Sequence, residues 1–411
     1  MSTIELMSPA GSFESLHAAI EGGADAVYFG IEQLNMRARS GNNFKLNDLD
    51  EIHKICSRKK VKTYLTLNTI IYDHDISLMK RIITAAKENH VAAVIACDQA
   101  VLGYASQIGM QVHISTQANV SNLESVLFYS KYADAIVLAR ELSLRQVADI
   151  VKQVKIKNIK GPSGELVRIE LFVHGALCMA VSGKCYLSLH SHYASANRGA
   201  CIQNCRRSYT VKDKEENIEF EIDNEYILSS KDLCTIDFID KIIESGVGIM
   251  KIEGRGRPAD YVYTTTKCYR KAIDSYFNGT YNKTEIDKWK NELTTVFNRG
   301  FWEGYYLGKK TGEWADTYGS KATKRKIYIG KGIKYFSNKM VGEFKLESGK
   351  LSVGNSIMVI GPTTGIIRDK VAELRSQDTS VQSVSKGSVF SLPLKKKIRP
   401  SDKLYKVVES E

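Results

Sequence analysis

Short apolar runs alternate with amphipathic stretches along roughly the first 250 residues of the chain. The runs are rich in β-branched residues and nearly continuous, which is typical of strands covered on both faces. Helical periodicity lies between several of them, over residues 12–22, 78–89 and 142–154. Strands that alternate with helices at this spacing predict parallel βαβ units. The predicted strands are residues 4–8, 26–30, 61–67, 92–97, 111–115, 135–139, 169–174, 226–229 and 248–252.

Eight or nine such units predict a closed (β/α) barrel of the TIM type rather than an open sheet. Two stretches interrupt the alternation. Residues 178–207 are rich in Cys, Gly, Ser and His, and residues 208–225 alternate polar and apolar side chains. We therefore predict a TIM-like barrel domain over residues 1–320, with a Cys-rich insertion and an inserted hairpin at about residues 208–225. Residues 258–300 are predicted to be helical.

The hydrophobic period changes to two from Lys326 onward, and no long helical pattern follows. Short strands with turn residues between them predict a small antiparallel β-barrel over residues 321–411. The predicted strands are residues 327–332, 340–346, 356–360, 365–371, 388–392 and 403–408.

Charge separates these two predicted domains. Residues 321–411 contain 19 Lys and Arg against 8 Asp and Glu, whereas residues 1–320 contain 39 against 38. Nearly all of the formal net charge of +12 therefore lies in the last 91 residues. A basic module beside a neutral one indicates a polyanion such as RNA as partner, although a basic face can also serve solubility. A membrane is disfavoured because the basic residues do not lie on an amphipathic helix.

The compartment bears on how the eight cysteines are interpreted. No apolar run reaches the roughly 18 residues that a membrane span requires, and residues 1–5 lack the basic and apolar regions of a secretory signal. We expect a cytoplasmic protein with reduced thiols rather than four disulfides. Four isolated cysteines are predicted to be small buried hydrophobes: Cys56, Cys97, Cys234 and Cys268.

The other four cysteines, Cys178, Cys185, Cys201 and Cys205, have the spacing C-x6-C-x15-C-x3-C. Four thiolates this close in a reduced chain indicate a metal centre. The wide first spacing favours an iron–sulfur cluster over the tight knuckles of structural zinc, while zinc and a redox dithiol stay open as alternatives. Cys178 follows the predicted strand 169–174, which puts the cluster at the barrel mouth. Alternative ligands are His174, His190 and His192.

Further candidate residues lie at or near predicted strand ends. Lys251 and Glu253, at i and i+2, are predicted to share a strand face, either as a general acid and base or as a buried ion pair. With His174 they are the candidate catalytic residues. Gln117 and Asn119 could bind a base edge or a substrate carbonyl. The cations that could bind a carboxylate or an RNA phosphate are Arg37, Arg39, Lys231, Lys251, Arg255, Arg257 and Arg299.

Residues 170–188 (ELFVHGALCMAVSGKCYLS) resemble the signature of peptidase family U32, the collagenase-like proteins. Residues 23–30 (GADAVYFG), 115–119 (STQAN) and 251–255 (KIEGR) fit the same family, and the resemblance covers about residues 1–310. The C-terminal barrel is similar to that of the longer members. The peptidase label has no support in the residues, because no Gly-x-Ser-x-Gly or His-Glu-x-x-His pattern is present.

The resemblance implies an oxygen-independent hydroxylation that depends on a [4Fe-4S] cluster. Members act on a wobble uridine of tRNA, on ribosomal RNA or on a quinone precursor, and the long form most resembles the tRNA 5-hydroxyuridine proteins. By this resemblance the four clustered cysteines are the cluster ligands, prephenate is the implied oxygen donor, and the partners are a tRNA anticodon stem-loop and the iron–sulfur assembly machinery. Two other hypotheses stay open, a peptidase and a non-catalytic RNA-binding protein with structural zinc.

Overall fold

Most strands of the first domain run in one direction around a common axis, with helices between them. The computed structural model describes residues 4–39, 43–212, 214–215, 219–220, 226–309, 311–377 and 379–410. The strands of this domain among the described residues are β1 Glu5–Pro9, β2 Ala26–Phe29, β3 Lys62–Leu67, β4 Ala93–Ala96, β5 Val112–Ile114, β6 Ala135–Val137, β7 Arg168–Ala176, β8 Val211–Lys212, β9 Glu219–Phe220, β10 Asp232–Cys234, β11 Ile249–Ile252 and β12 Phe301–Trp302.

Eight of these strands close into a parallel barrel. Strands β1 to β7 pair in chain order, and β11 completes the ring by pairing with both β1 and β7. The predicted TIM-like barrel is therefore confirmed. All residues of β1, β2, β4, β5, β6 and β11 are buried, because the barrel interior covers one face of each strand and helices cover the other.

The helices follow the strands around the barrel. Their first turns are closed by side chains suited to that position, such as Ser143, which forms a capping box with Gln146 at the start of α6. The helices are α1 Phe13–Glu21, α2 Leu49–Ser57, α3 Ile76–Glu88, α4 Gln99–Gln107, α5 Leu123–Tyr129, α6 Leu144–Ile156, α7 Leu187–His192, α8 Ile239–Glu244, α9 Ala259–Phe277 and α10 Lys283–Thr294.

One predicted barrel strand is wrong. Residues 226–229 form a turn, in which the Ser229 amide donates to the Tyr226 carbonyl, and β10 begins at Asp232. Strand β10 runs antiparallel to the last residues of β7 and parallel to β12. The nine-residue β7 is longer than its neighbours, so its end projects past the ring and pairs with β10 at the barrel mouth.

The predicted hairpin at residues 208–225 is described only in part. Strands β8 and β9 pair antiparallel, with Val211 opposite Phe220. Residues 213, 216–218 and 221–225 lie outside the described residues.

The chain continues into an antiparallel sheet domain, as the period-two pattern predicted. Its main sheet has the order β17-β16-β22-β13-β14-β21-β18-β19, and β15 pairs with β20. Phe344, Phe390 and Leu404 are fully or almost fully buried in its own core. The strands are β13 Lys324–Phe336, β14 Val341–Leu346, β15 Lys350–Ser352, β16 Ser356–Gly361, β17 Gly365–Lys370, β18 Leu374–Ser376, β19 Thr379–Val381, β20 Ser383–Ser385, β21 Val389–Pro393 and β22 Lys403–Glu409.

The sheet domain packs directly against the barrel through helices α1 and α9. Met358 and Ile366 belong to the buried core of the barrel domain rather than to the core of their own sheet. Lys326 forms an ion pair with Asp260, and Lys396 forms one with Glu21. The contact between the domains is therefore both apolar and charged.

Within the described part of the chain, none of the helices is long and apolar enough to cross a membrane.

Candidate functional site

A cavity of about 630 Å³ opens at the mouth of the barrel, where the carboxyl ends of the parallel strands meet. Side chains from β2, β3, β4, β7 and β11 form its floor, and the Cys-rich insertion forms part of its wall. Many residues predicted from the sequence to lie in the site line it: Arg37, Gln117, Cys178, Cys185, Cys201, Cys205, Lys251, Glu253, Arg255, Arg257 and Arg299.

The four clustered cysteines line this cavity from three short segments of the insertion. Cys178 follows the end of β7, Cys185 precedes α7, and Cys201 and Cys205 follow it. The last segment is tied to α7 because the side-chain amide of Asn204 donates to Ser191 Oγ at 2.7 Å. The insertion thus holds four thiols on one side of the cavity.

The environment of Cys205 shows that the thiols lie within electrostatic reach of one another. Burial raises the pKa of Cys205, the neighbouring Arg206 lowers it, and the other three clustered cysteines add to the rise. No three of the described His, Cys, Asp and Glu side chains converge as the ligands of one metal ion would.

Lys251 has a different partner from the one expected. Its Nζ lies 2.7 Å from Glu170 Oε1, and Glu170 Oε2 lies 3.3 Å from His113 Nδ1. Burial alone would raise the pKa of Glu170, but Lys251 and His113 lower it below its usual value. The predicted pairing of Lys251 with Glu253 is wrong, because an irregularity of register after Lys251 breaks the i, i+2 relation.

Glu253 faces arginines instead of Lys251. Arg37 Nη2 lies 3.0 Å from Glu253 Oε1. Burial alone would raise the pKa of Glu253, whereas Arg37, Arg257 and Arg140 lower it below its usual value. Glu253 is therefore ionised and orients guanidinium groups in the cavity, an arrangement that differs from a proton-sharing pair with Lys251.

Arg255 and Arg299 are both buried, and neighbouring side chains bind their guanidinium groups. Arg255 Nη1 donates to Asn35 Oδ1 at 3.0 Å and to Thr66 Oγ1 at 2.6 Å. Burial lowers the pKa of Arg255 to about 10, so it stays charged at neutral pH. Arg299 Nη1 lies 3.3 Å from Asp232 Oδ1. Both guanidinium groups are positioned before any ligand arrives.

Three predicted site residues do not line the cavity. His174 is buried among Tyr261, Tyr269 and Phe301, and burial lowers its pKa to about 3. A neutral imidazole in this place supports packing rather than catalysis. Asn119 accepts from Ser182 Oγ at 2.8 Å and positions the insertion, and Lys231 pairs with Glu313 at 2.8 Å.

The histidines proposed as alternative metal ligands are also elsewhere. His190 and His192 lie in the last turn of α7 and are absent from the described lining of the cavity. Arg39 lines a second cavity that adjoins the first.

The motifs that surround this cavity are those of a known family, since a family model described as Peptidase family U32 matches residues 11–316. The chain belongs to peptidase family U32. The match begins just after β1, covers the rest of the barrel with its insertion and ends before the sheet domain.

Three relatives of this U32 chain match it over different fractions of its length. It is 58% identical over 407 residues to a protein named Collagenase from Porphyromonas gingivalis, covering 99% of this chain and 98% of that one. It is 28% identical over 412 residues to tRNA hydroxylation protein P1 of Bacillus subtilis, covering 98% and 94%. It is 36% identical over 274 residues to a 23S rRNA 5-hydroxycytidine synthase of Escherichia coli, covering 66% and 39%.

Sequence reasoning missed several residues of the U32 site. Arg140 lines the cavity, with its guanidinium carbon 4.1 Å from the centre of the Phe172 ring. The sequence contains a signal for Arg140, because this residue directly follows the predicted strand 135–139. Arg206, next to Cys205, donates to the carbonyls of Leu177 and Ser230 at 2.8 and 2.6 Å. Glu170 lies in the middle of an apolar run, where its role as the partner of Lys251 has no local signal.

Proposed function

We propose that this protein hydroxylates C5 of the wobble uridine of tRNA without using O2, with a [4Fe-4S] cluster held by Cys178, Cys185, Cys201 and Cys205. The observation that carries the proposal is that four thiols and a set of buried cations line one cavity at the barrel mouth. Thiols alone would suit an electron carrier, and cations alone would suit a binding protein. Their combination suits redox chemistry on an anionic substrate.

The donor set fits such a cluster. Four cysteine thiolates are the usual ligands of a [4Fe-4S] centre, and all four clustered cysteines line the same cavity. When bound, the cluster would accept or donate single electrons. Around it, Arg206 would offset part of the negative charge of the thiolates, since it is the cation that acts most strongly on Cys205.

The charge of the cavity supports an anionic co-substrate. Among the described residues that line it, eight are Lys or Arg and two are Glu. Arg140 and Arg257 stack on Phe172 and Phe297 and act on Glu253 at longer range, but neither forms a salt bridge within the described chain. Such rigid guanidinium groups suit a small dicarboxylate such as prephenate. Hydroxylation of C5 removes two electrons from the base, and an organic donor that gives up an oxygen atom takes up two, so the reaction balances.

The RNA substrate is supported by the relatives and by the sheet domain. One relative is named for tRNA hydroxylation and matches across both domains. Lys331 lies directly opposite Lys345 on one neighbouring strand and Lys403 on the other, and all three side chains are exposed. Glu347 pairs with Lys331 at 2.9 Å and offsets one charge of this row. Like charges opposite one another in a sheet are unfavourable, and RNA phosphates would offset the remainder.

Mass spectrometry of tRNA nucleosides from a deletion strain tests the reaction. We expect 5-hydroxyuridine derivatives to disappear, to return with the wild-type gene, and not to return with Cys178→Ala/Cys205→Ala. Cys56→Ala is the matched control, since the Cys56 thiol is buried and lies far from the insertion in the sequence. If the tRNA is unchanged and a modified nucleoside is missing from rRNA, the substrate is rRNA. If neither RNA changes, an RNA substrate is refuted.

Anaerobic purification with iron and sulfide quantitation tests the cluster separately. We expect about four irons per chain and a broad absorbance near 400 nm, as for a [4Fe-4S] centre. Both should be lost in Cys178→Ala/Cys205→Ala and kept in Cys56→Ala. Stoichiometric zinc without iron would instead support an RNA-binding protein with a structural metal.

A peptidase is the second candidate, because the relative that is 58% identical is named Collagenase. A gelatin-cleavage assay with purified protein distinguishes the two. We expect no cleavage. Cleavage that survives Cys178→Ala/Cys205→Ala would establish a peptidase independent of the thiols.

A further inference from the structure

A second cavity of about 370 Å³ adjoins the main one on the outside of the barrel mouth. We call it the vestibule. The two cavities have five lining residues in common, among them Cys201, so the vestibule lies directly beside the space that the thiols line. Its described lining consists of Met36, Arg37, Arg39, Gly199, Cys201, Ile202, Gln203, Arg206, Arg207 and Tyr318.

The charge of the vestibule has one sign. Four of its described lining residues are arginines, and none is Asp or Glu. Arg37 and Arg206 are engaged, the first with Glu253 and the second with backbone carbonyls. Arg39 and Arg207 are exposed and have no acidic partner in the described parts of the chain.

The two segments that carry these arginines are fixed against each other. Gly199 has a φ of +78°, and a Cβ at this position would collide with the carbonyl oxygen of Asn35. Backbone contact this close holds the segment after α7 against the segment around Arg37. The segment that carries Arg39 therefore packs against the segment that leads to Arg207, and fixing these two segments lowers the ordering cost of binding a ligand that contacts both.

An aromatic side chain completes the vestibule. The Tyr318 side chain is 75% exposed at its edge. A large exposed ring beside guanidinium groups is a combination that binds single-stranded nucleic acid, because bases stack on the ring while phosphates bind the cations.

We infer that the vestibule binds the RNA backbone beside the target nucleotide, with Arg39 and Arg207 on adjacent phosphates and Tyr318 stacked on a neighbouring base. This inference rests on the proposed RNA substrate and assigns the place where that RNA enters. A strand held here would direct one nucleotide past the shared wall into the main cavity. A free small anion would use the arginines and leave the ring without a role.

Binding of a labelled anticodon stem-loop RNA to the full-length, cluster-loaded protein tests the inference. Fluorescence anisotropy over a salt series compares Arg39→Ala/Arg207→Ala with wild type. We expect Kd to rise about tenfold or more, and the slope of log K against log salt to shrink by about 0.7 for each phosphate that the variant no longer neutralises. Arg39→Lys/Arg207→Lys should recover much of the affinity.

The matched control is Lys152→Ala/Lys157→Ala, which removes the same charge from exposed positions at the end of α6 that lies away from the mouth. We expect less than a twofold change in Kd for this control. Iron content should be unchanged in both double variants, which shows that the insertion is folded. Tyr318→Ala should weaken binding about fivefold, and Tyr318→Phe should not, because stacking needs only the ring.

The outcomes separate this inference from the proposed function. If wild type does not bind the RNA, the proposed substrate is wrong. If wild type binds and Arg39→Ala/Arg207→Ala binds equally well, the RNA proposal stands and the vestibule inference is refuted. The inference is also refuted if inorganic phosphate displaces the RNA at the concentration expected for one independent anion site, with Tyr318→Ala binding as wild type.

Discussion

Both ends of the barrel contain buried charged side chains, but these charges are balanced at one end and mostly positive at the other. At the amino-terminal end of the strands, Glu5 accepts from Lys62 Nζ at 2.8 Å, Arg168 Nη1 at 2.9 Å and Tyr64 Oη at 2.7 Å. Its carboxylate is fully compensated. At the mouth, the described lining has eight cations and two acids. The balanced charges at the first end suit stability, and the excess of positive charge at the mouth suits the anionic co-substrate that we propose.

Between the two ends lies the Lys251–Glu170–His113 network, on the floor of the cavity. Glu170 is completely buried and Lys251 almost so. The network belongs to the cavity through Lys251 and to the barrel core through Glu170. Variants at the two ends of the barrel and in this network therefore distinguish the charges that stabilise the fold from the charges that bind a ligand.

The largest change in stability is expected from Glu170→Gln. Removing one charge of a buried pair leaves Lys251 uncompensated, at a cost of about 3–5 kcal/mol in the free energy of unfolding. Urea denaturation measures it. The double variant Glu170→Gln/Lys251→Met should recover most of the loss, because it removes both charges. A double variant as unstable as the single one would show that Glu170 acts through His113 instead.

Glu5→Gln should cost about 2–3 kcal/mol at pH 7. Burial alone would raise the pKa of Glu5, but Arg168 and Lys62 lower it from 4.5 to about 2. A lowered carboxyl pKa stabilises the folded protein above the unfolded value and loses this effect as pH falls. The difference between wild type and Glu5→Gln should therefore be constant above about pH 5 and shrink between pH 4.5 and 2. A difference that grows on acidification would contradict this assignment.

Gly30→Ala is expected to cost about 1–3 kcal/mol through overpacking. A Cβ at this position would collide with Arg255 Nη1 and crowd the Asn35 side chain. The variant should also reduce activity, because Arg255 would be displaced from its place in the cavity. Gly103→Ala in α4 is the control, since a Cβ there meets nothing within 4 Å. It should stabilise the protein by up to about 1 kcal/mol, and thermal denaturation measures both.

Arg257→Gln should change stability least, by less than about 1 kcal/mol, since its guanidinium stacks on Phe297, 3.4 Å from the ring centre, and forms no salt bridge within the described chain. Its activity should nevertheless fall about 10- to 100-fold, as expected if the variant forms one charge-assisted hydrogen bond fewer to the co-substrate. Nucleoside analysis of the complemented deletion strain measures this loss. Full activity with lowered stability would place Arg257 with the structural charges.

The barrel could be predicted because its strands are marked by local composition. Eight of the nine predicted strands are present, since a strand buried on both faces is nearly all apolar. The strand predicted over residues 226–229 is absent because a run of three apolar residues in a turn has the same local composition as a short strand. The order in which β7 pairs with both β10 and β11 depends on strand length beyond the ring, which composition does not show.

The site was predictable where position along a strand decides it. Cys178 and several of the cations follow strand ends, and the closed ring brings such residues together. Pairing within the site was not predictable. Lys251 and Glu170 are 81 residues apart and meet through the pairing of β11 with β7. His174 has the position of a catalytic residue, and only the three rings around it show that it is packed.

The burial of Met358 and Ile366 in the core of the neighbouring domain has a consequence for substrate choice. A module anchored in this way cannot swing on a tether, so the span between its lysine row and the thiol-lined chamber is constant. The protein then holds these two regions at a fixed separation. It would select RNAs whose folded shape matches that span, and detaching the module would expose apolar side chains on α1 and α9 instead of freeing an independent arm.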